Sequence, residues 1–527
     1  MIASNIKTPG VYINEINAFA NSVVPIATAV PAFIGYTPKA EYQGKSYSRK
    51  AQKIHSFAEF KAFYMLEDPP APAAPSSQYS PAYYLVEQKA QPSAGEYMII
   101  AGKYYSILPD PNTIYYFYNS IRLFYQNGGG SAYIVSIGSY GEPSKKPIDD
   151  PAAKIVNPNV KLKDLLDGLA LLKIEEEPTM YICPEATLLS LEENGTLMSS
   201  MLLQAQDMQT AICIFDIIGG LDPDPILYTK DIEAFRNSTG SQGLKYGASY
   251  YPFIGTTIMQ SGEIDYTNLF GGDIKQLEPL LSPSANPNQV AAKIIGMIEN
   301  PPANPLTNQQ YHEALLNGSK LYSQIIQRVL KRANILPPSG GMAGIYTVND
   351  NQLGVWHAPA NVSMVGVSDL PIRLSGIQQE TLNVDAVSGK SVNAIRFFNG
   401  QGILVWGART LEGNSQDWRY ISVRRTMTFL EQSVKLAARD YVFEPNDANT
   451  WVAVKSMISS FLTGVWKGGG LQGAQAADAF QVDIGLGTTM TPEDLLNGFM
   501  NVTVKVAVVR PAEFIVITFQ QQMAKSG

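Results

Sequence analysis

The chain of 527 residues carries a net charge of −7, and its charged fraction of 16% lies below the roughly 25% of an ordinary soluble domain. This length indicates about three domains rather than one core. The sequence contains no dense basic patch, which excludes the usual footprint of a nucleic-acid-binding protein. Its two cysteines, Cys183 and Cys213, stand in apolar runs, so we predict buried free thiols and exclude a disulfide scaffold.

Low charge combined with 10% aromatic residues is typical of a surface that other protein chains cover. A large core under a modest surface is the alternative. The charge is also uneven: from Lys390 onward 13 Lys and Arg stand against 11 Asp and Glu, a net +2, while the remainder has 26 against 35, a net −9. A mildly basic C-terminal part on an acidic body suits an acidic protein partner.

The first predicted element is a strand at residues 8–16, where apolar side chains alternate. Residues 23–36 predict a second strand, whose Pro25 and Pro31 exclude a signal peptide or membrane span. A loop rich in proline and alanine follows at 66–82, and short strands with aromatic runs come after it. We expect a protein made and assembled in the cytoplasm, without direct membrane insertion.

Helices and strands alternate in the middle of the chain. Helical periodicity predicts the helices, and short apolar runs predict the strands between them. The predicted helices are 160–173, 188–207, 226–236, 289–299 and 308–334, and the predicted strands are 179–183, 211–218 and 247–254. This βαβ rhythm predicts an α/β domain.

The C-terminal part predicts an α+β domain. Apolar residues from Val423 to Tyr441 recur on one face of a long helix, and 454–465 repeat the pattern. A third helix begins with Pro492 at its first position, capped by Thr491 and Asp494. Residues 502–509 and 514–520 then predict two closing strands.

The strands predicted at the two termini have no evident partner in the chain. Unpaired strand edges invite association with other chains, and termini are otherwise the places where disorder concentrates. The sequence therefore predicts that terminal strands join copies of this chain. The residues predicted to do so are Val11, Tyr12, Ile13, Ile16, Ile515, Val516, Ile517 and Phe519.

The sequence contains no recognisable catalytic or metal-binding motif. His312 and Glu313 begin a zinc-protease pattern, but Leu316 occupies the position of the second histidine. No phosphate-binding loop or nucleophile elbow occurs. Asp216 stands at a predicted strand end, where open α/β sheets often bind ligands, but no phosphate-binding loop precedes it, which favours a structural aspartate. We predict no catalytic residue, no metal and no cofactor, and an α/β-domain enzyme is the rival interpretation.

Several uncommon strings of this chain resemble one family. They are Asn-Ala-Ile-Arg at 393–396, Gly-Gln-Gly-Ile-Leu-Val-Trp-Gly-Ala-Arg-Thr-Leu at 400–411, Trp-Arg-Tyr-Ile-Ser-Val-Arg-Arg at 418–425, Pro-Ala-Glu-Phe-Ile at 511–515 and Thr-Pro-Gly-Val-Tyr-Ile-Asn-Glu at 8–15. With them the chain resembles the contractile tail sheath proteins of phages and contractile injection systems. The resemblance is strongest in the N-terminal arm and in 337–527.

The resemblance implies a helical stack of subunit rings around an inner tube, in which terminal strands complete the sheets of neighbouring subunits. The implied partners are other copies of this chain, the inner tube protein, and baseplate and terminal cap proteins. The particle would be a phage tail or a contractile injection device. A non-contracting tail or baseplate component with the same fold is a second alternative.

The expected architecture is an α+β multidomain fold. Its expected parts are an N-terminal linking arm at 1–20, a β-rich inserted or outer domain at 21–150, an α/β middle domain at 151–345, a C-terminal sheath core at 346–510 and a C-terminal linking arm at 511–527. Arg409, Arg424 and Arg425 are candidates to face the tube, and pairing with nearby Glu412 and Asp417 is the alternative. The glycines around Gly340 and Gly468 are interpreted as turns.

Overall fold

The computed structural model describes residues 23–66, 79–92, 95–221, 228–284 and 286–517. Its strands are β1 Pro31–Gly35, β2 Glu41–Tyr42, β3 Lys45–Ser46, β4 Ala51–Ile54, β5 Tyr83–Gln88, β6 Tyr97–Ile100, β7 Lys103–Pro109, β8 Ala132–Ser136, β9 Met180–Ile182, β10 Ile212–Asp216, β11 Gly247–Tyr251, β12 Ile254–Thr256, β13 Ile335–Leu336, β14 Val367–Asp369, β15 Asn393–Phe398, β16 Gly402–Trp406, β17 Phe480–Ile484 and β18 Val502–Val506.

The α-helices alternate with these strands through much of the chain. They are α1 Phe57–Tyr64, α2 Phe117–Gln126, α3 Leu162–Leu171, α4 Leu191–Met208, α5 Tyr228–Ser238, α6 Glu278–Leu281, α7 Gln289–Glu299, α8 Asn308–Gly318, α9 Lys320–Ala333, α10 Ser339–Leu353, α11 Gly376–Asn383, α12 Ile421–Ala438, α13 Ala448–Lys467, α14 Ala476–Ala479 and α15 Pro492–Leu496. Short 3₁₀ turns lie between several of them.

An eight-stranded sheet with the order β16-β15-β11-β10-β9-β1-β8-β4 forms the centre of the fold. The pairs from β8 through β1, β9, β10 and β11 to β15 are parallel, whereas β4 and β16 add antiparallel edges. Strands β1, β9, β10 and β11 are buried along their whole length, as parallel strands covered by helices on both faces usually are. Helix α3 packs on β1, and α4 and α10 pack on β10.

The chain also forms four smaller sheets within its described residues. β5, β7 and β6 form an antiparallel sheet, and β12 pairs with both β13 and β14. β2 pairs with β3, and β17 pairs with β18. The two cysteines are buried and free, which confirms that prediction.

The chain divides into two compact units. One, the sheet unit, contains Ala27–Thr428 together with the chain from Arg510 onward. The other, the C-terminal unit, contains Phe429–Val509 together with the chain up to Ile26. The predicted boundaries at 150 and 345 differ from this division, because β1, β8, β10 and β15 all hydrogen-bond in one sheet. Parallel pairing joins strands far apart in sequence, so local composition did not reveal it.

Many predicted elements match the structure. The long amphipathic helix corresponds to α12, and α15 has the predicted capping box of Thr491 and Asp494. The predicted helix at 308–334 is instead the two helices α8 and α9, because Ser319 caps the second one.

Gly340 lies inside helix α10 and not in a turn, which corrects the interpretation of that glycine. A Cβ on Gly340 would lie 2.4 Å from the carbonyl oxygen of Ser120 in α2, and one on Gly344 would lie 2.8 Å from that of Phe124. The two glycines therefore allow α10 to approach α2 closely. Gly468 caps the end of α13, as a turn residue would.

Candidate assembly interface

Five predicted arm residues lie outside the described residues: Val11, Tyr12, Ile13, Ile16 and Phe519. The other three, Ile515, Val516 and Ile517, follow Phe514 without regular secondary structure, so the strand predicted at 514–520 does not form over its described part. An isolated strand has no partner to supply its hydrogen bonds. The four side chains are between 70% and 89% exposed. We call Phe514–Ile517 the C-terminal arm, a contiguous apolar surface of the kind that marks an interaction site.

The C-terminal unit contains a sheet of two strands. β17 and β18 pair in register from Phe480 opposite Val506 to Ile484 opposite Val502. Among the described strands they pair only with each other. Helix α13 packs against β17. Two-stranded sheets are marginal in water, and free edges accept further strands.

The chain just before the C-terminal arm is bound through Glu513. Arg409 donates from Nε to Oε1 at 2.9 Å and from Nη2 to Oε2 at 2.6 Å. Asn383 Nδ2 donates to Oε1 at 2.7 Å, and the Tyr420 hydroxyl donates to Oε2 at 3.1 Å. We call these four residues the Glu513 clamp, and all of them belong to the sheet unit.

The clamp is largely withdrawn from water, since the side chains of Arg409 and Glu513 are only 4% and 19% exposed. Burial alone would raise the pKa of Glu513, but the hydrogen bonds from Arg409 and Asn383 outweigh it and hold the pKa below its ordinary value. The group is therefore an ionised carboxylate at neutral pH. Two-pronged pairing of guanidinium with carboxylate gives both strength and a fixed orientation.

Arg409, Arg424 and Arg425 do not reach the surface, which corrects their interpretation as tube-facing residues. They are 3%, 2% and 5% exposed. Arg425 forms a bidentate pair with Asp350 at 2.6 and 2.7 Å. The guanidinium of Arg424 lies 4.5 Å from the ring centre of Trp418. A buried cation needs such partners, and they are neither of the acidic residues predicted from local sequence.

Asp216 ends strand β10 and caps helix α10. Its carboxylate accepts the backbone N–H of Ser339 at 2.9 Å and the Ser339 hydroxyl at 2.5 Å. Burial raises the pKa of Asp216 to about 7, although the bonds from Ser339 oppose the rise. Both oxygens are thus engaged at a helix N-terminus, a structural arrangement for an acidic residue.

Across the described ranges, no group of three or more His, Cys, Asp or Glu side chains could hold a metal ion. No helix in that same part of the chain is long and apolar enough to cross a membrane.

Sequence reasoning missed the partners of these arginines. Glu513 belongs to the Pro-Ala-Glu-Phe-Ile string that carried the resemblance, yet it is 104 residues from Arg409. Asp350 is 75 residues from Arg425. The sequence singled out the three arginines, but only the tertiary fold identifies the acids that pair with Arg409 and Arg425.

Comparison with known proteins extends the resemblance. A family model described as the phage tail sheath C-terminal domain matches residues 414–522. The C-terminal part of this chain is thus similar to a tail sheath domain. The tail sheath protein of Vibrio phage KVP40 is 27% identical over 161 residues, which make up 30% of this chain and 23% of the phage protein.

Solved structures of sheath proteins share the fold of this chain over nearly its whole length. The helical sheath of the anti-feeding prophage in its contracted state is 25% identical, with a TM-score of 0.57, over 98% of this chain and 100% of that one. The contracted sheath complex of the extracellular contractile injection system PVC is 24% identical, with a TM-score of 0.55, over 98% and 99%. The sheath likeness thus covers both units.

Proposed function

We propose that this chain is the subunit of a contractile sheath, which polymerises around an inner tube and contracts to drive the tube through a target envelope. The observation that carries the proposal is the likeness of 98% of the chain to a helical sheath in its contracted state. The C-terminal tail sheath domain supports it independently.

The surface of the chain supports self-association. The C-terminal arm offers four exposed apolar side chains, and the two-stranded sheet of β17 and β18 has edges that could take further strands. Addition of an arm to the sheet of a neighbouring subunit would cover the apolar side chains of the arm and pair the open edge of the sheet through backbone hydrogen bonds. The N-terminal arm, including Val11, Tyr12, Ile13 and Ile16, would act in the same way.

Repeated contact between an arm and the sheet of the next subunit is a head-to-tail interface, which builds an open helical polymer. Contraction would repack the subunits as largely rigid bodies while the arms keep them linked. The partners are then other copies of this chain, an inner tube protein, and baseplate and cap proteins. The chain would be made in the cytoplasm and would function in a phage tail or an injection particle.

The proposal assigns no catalytic step to the chain. Asp216, the one acid that suggested an enzyme, is engaged by Ser339 at both of its oxygens. Force would come from new contacts between subunits in the contracted state.

Electron microscopy of the purified chain, alone and together with its inner tube protein, tests the proposal. We expect hollow helical polymers of stacked rings, with the tube inside them when it is present. A chain that stays monomeric at every concentration, with and without tube protein, would contradict the function proposed here.

A further inference from the structure

The residue just before the C-terminal arm, Glu513, is bound by a side chain that is itself fixed in place. Arg409, which grips Glu513, is itself fixed by Asn393 at the start of β15: the Arg409 N–H donates to Asn393 Oδ1 at 2.8 Å, and Asn393 Nδ2 donates to the Arg409 carbonyl at 2.8 Å. The same Asn393 amide donates to the Ser249 carbonyl of β11 at 3.1 Å. Strands β15 and β11 of the central sheet therefore fix the position of Arg409, which in turn binds Glu513.

The remaining donors of the clamp come from two further segments. Asn383 is the last residue of α11, and Tyr420 directly precedes α12. A second attachment lies three residues earlier, where Arg510 donates to the Gln416 carbonyl at 2.7 Å and lies 3.6 Å from Asp417. Residues 510–513 are thus attached at both ends to the sheet unit.

The exposure of the side chains rises abruptly after Glu513. Its side chain is 19% exposed, whereas the next four side chains are at least 70% exposed. Within the described part of the chain, the backbone of those four residues makes no hydrogen bond to other backbone groups. The attached residues 510–513, which we call the root of the arm, therefore end at Glu513, and the exposed C-terminal arm begins at the next residue.

We propose that Glu513 is the positioning residue of the C-terminal arm: its clamp fixes where the arm leaves the sheet unit and in which direction, so that the arm reaches the sheet of a second copy of this chain. This inference rests on the proposed sheath function. Fixing the root raises the effective concentration of the arm at its target, because a shorter and directed tether samples less space.

The reach of the arm sets the scale of this effect. The four described residues of the C-terminal arm, Phe514–Ile517, span at most about 13 Å when extended at roughly 3.3 Å per residue. Release of the clamp would add residues 511–513 to the tether, up to the attachment of Arg510 to Gln416, and would remove the direction of the tether. Assembly should therefore weaken even though every residue of the arm itself is unchanged.

The mobility of a spin label attached at Phe514→Cys, measured in the monomeric full-length chain, tests whether the Glu513 clamp fixes the start of the arm. The native cysteines are buried, so the label attaches at the exposed new site. The variant Glu513→Gln keeps the shape of the side chain but loses the charge that holds Arg409. The matched control is Glu380→Gln, an exposed site on α11, the helix that ends at the clamp residue Asn383.

We expect a restrained label in the parent chain and in the control. In Glu513→Gln the mobile fraction should rise at least about tenfold, since hydrogen bonds to a charged group are the strong ones. Tyr420→Phe removes only the hydrogen bond from the Tyr420 hydroxyl and should give an intermediate result, which keeps the test informative if Glu513→Gln folds poorly. In unlabelled chains, sheath length by electron microscopy should fall in the same order.

Each outcome decides one of the two proposals. A label that stays restrained in both clamp variants overturns the clamp. A mobile label with sheaths of normal length shows that the clamp exists but does not position the arm, and this also overturns the inference. If the parent chain forms no sheath, the proposed function fails, while the label still decides whether Glu513 fixes the root.

Discussion

Glu185 lies at the carboxyl end of β9, next to the end of β1, and has no exposed surface. It accepts the Tyr36 N–H at 2.9 Å. Burial raises the pKa of Glu185 to about 8, against the lowering effect of hydrogen bonds from backbone N–H groups. Near neutral pH the folded chain thus keeps a proton that the unfolded chain releases.

Replacement of Glu185 by Gln tests this charge state. Between the ordinary pKa of 4.5 and about 8 the folded state binds more protons, so the stability of the parent chain falls as pH rises. We expect its free energy of unfolding to decline relative to Glu185→Gln by up to about 1.36 kcal/mol per pH unit in this window. Denaturant melts at several pH values measure the difference, with exposed Glu192→Gln as the control. Parallel curves for parent and Glu185→Gln would refute the buried acid.

Arg425 should matter for folding and not for contact with a tube. Its partner Asp350 has a side chain only 1% exposed, and loss of one member of a buried pair destabilises by about 3–5 kcal/mol. We expect Arg425→Glu to lower the free energy of unfolding by at least that amount. The exposed Lys146→Glu, with the same change of charge, should leave it nearly unchanged. Normal melting of Arg425→Glu together with failure to bind a tube would restore the surface interpretation.

Sequence could single out these arginines but not their surroundings. A buried cation requires a partner, but the sequence was interpreted as placing Arg409 and Arg425 at a tube-facing surface or beside Glu412 and Asp417. The choice between Glu412, Asp417, Asp350 and Glu513 depends on which strands and helices meet. That is a property of the tertiary fold.

At the scale of elements, the approach of α10 to α2 depends on Gly340. We expect Gly340→Ala to lower the free energy of unfolding by about 1–3 kcal/mol, because the new methyl group meets the backbone of α2 and one helix must move. Gly464→Ala in α13 has no atom within 4 Å of the new Cβ and should stabilise the chain by up to about 1 kcal/mol. Thermal and chemical melts compare the two, and equal effects would show that the close packing is unimportant.

Local patterns predicted elements best where they were most regular. The strand at 211–218 and the helix at 188–207 correspond to β10 and α4, since apolar periodicity and a Ser190–Glu193 capping box mark them. Helix α2 was missed because its aromatic side chains resemble strand composition. The glycines of α10 suggested turns, because glycine is a poor helix former until packing requires it.

At the scale of the whole molecule, the sheet unit is built from two stretches of the chain that the C-terminal unit separates, and the sequence did not indicate this division. The C-terminal unit ends at Val509, and the chain then returns to the sheet unit from Arg510 onward. The predicted C-terminal arm began at 511, close to this return. The central sheet joins segments from all three predicted domains, because its parallel pairs connect strands separated by 30 to more than 140 residues.

The central claim is that terminal strands link subunits into a sheath. Electron microscopy of assemblies formed by a chain lacking residues 1–18 tests it most directly. We expect this chain to keep the circular dichroism and melting of the full chain and to form no long ordered sheaths. The double variant Val11→Pro with Ile13→Pro should have the same effect as the deletion, because proline removes backbone donors that a strand needs. The control Val11→Thr with Ile13→Thr keeps those donors and should form longer assemblies. Full-length, contracting sheaths from the truncated chain would contradict the account.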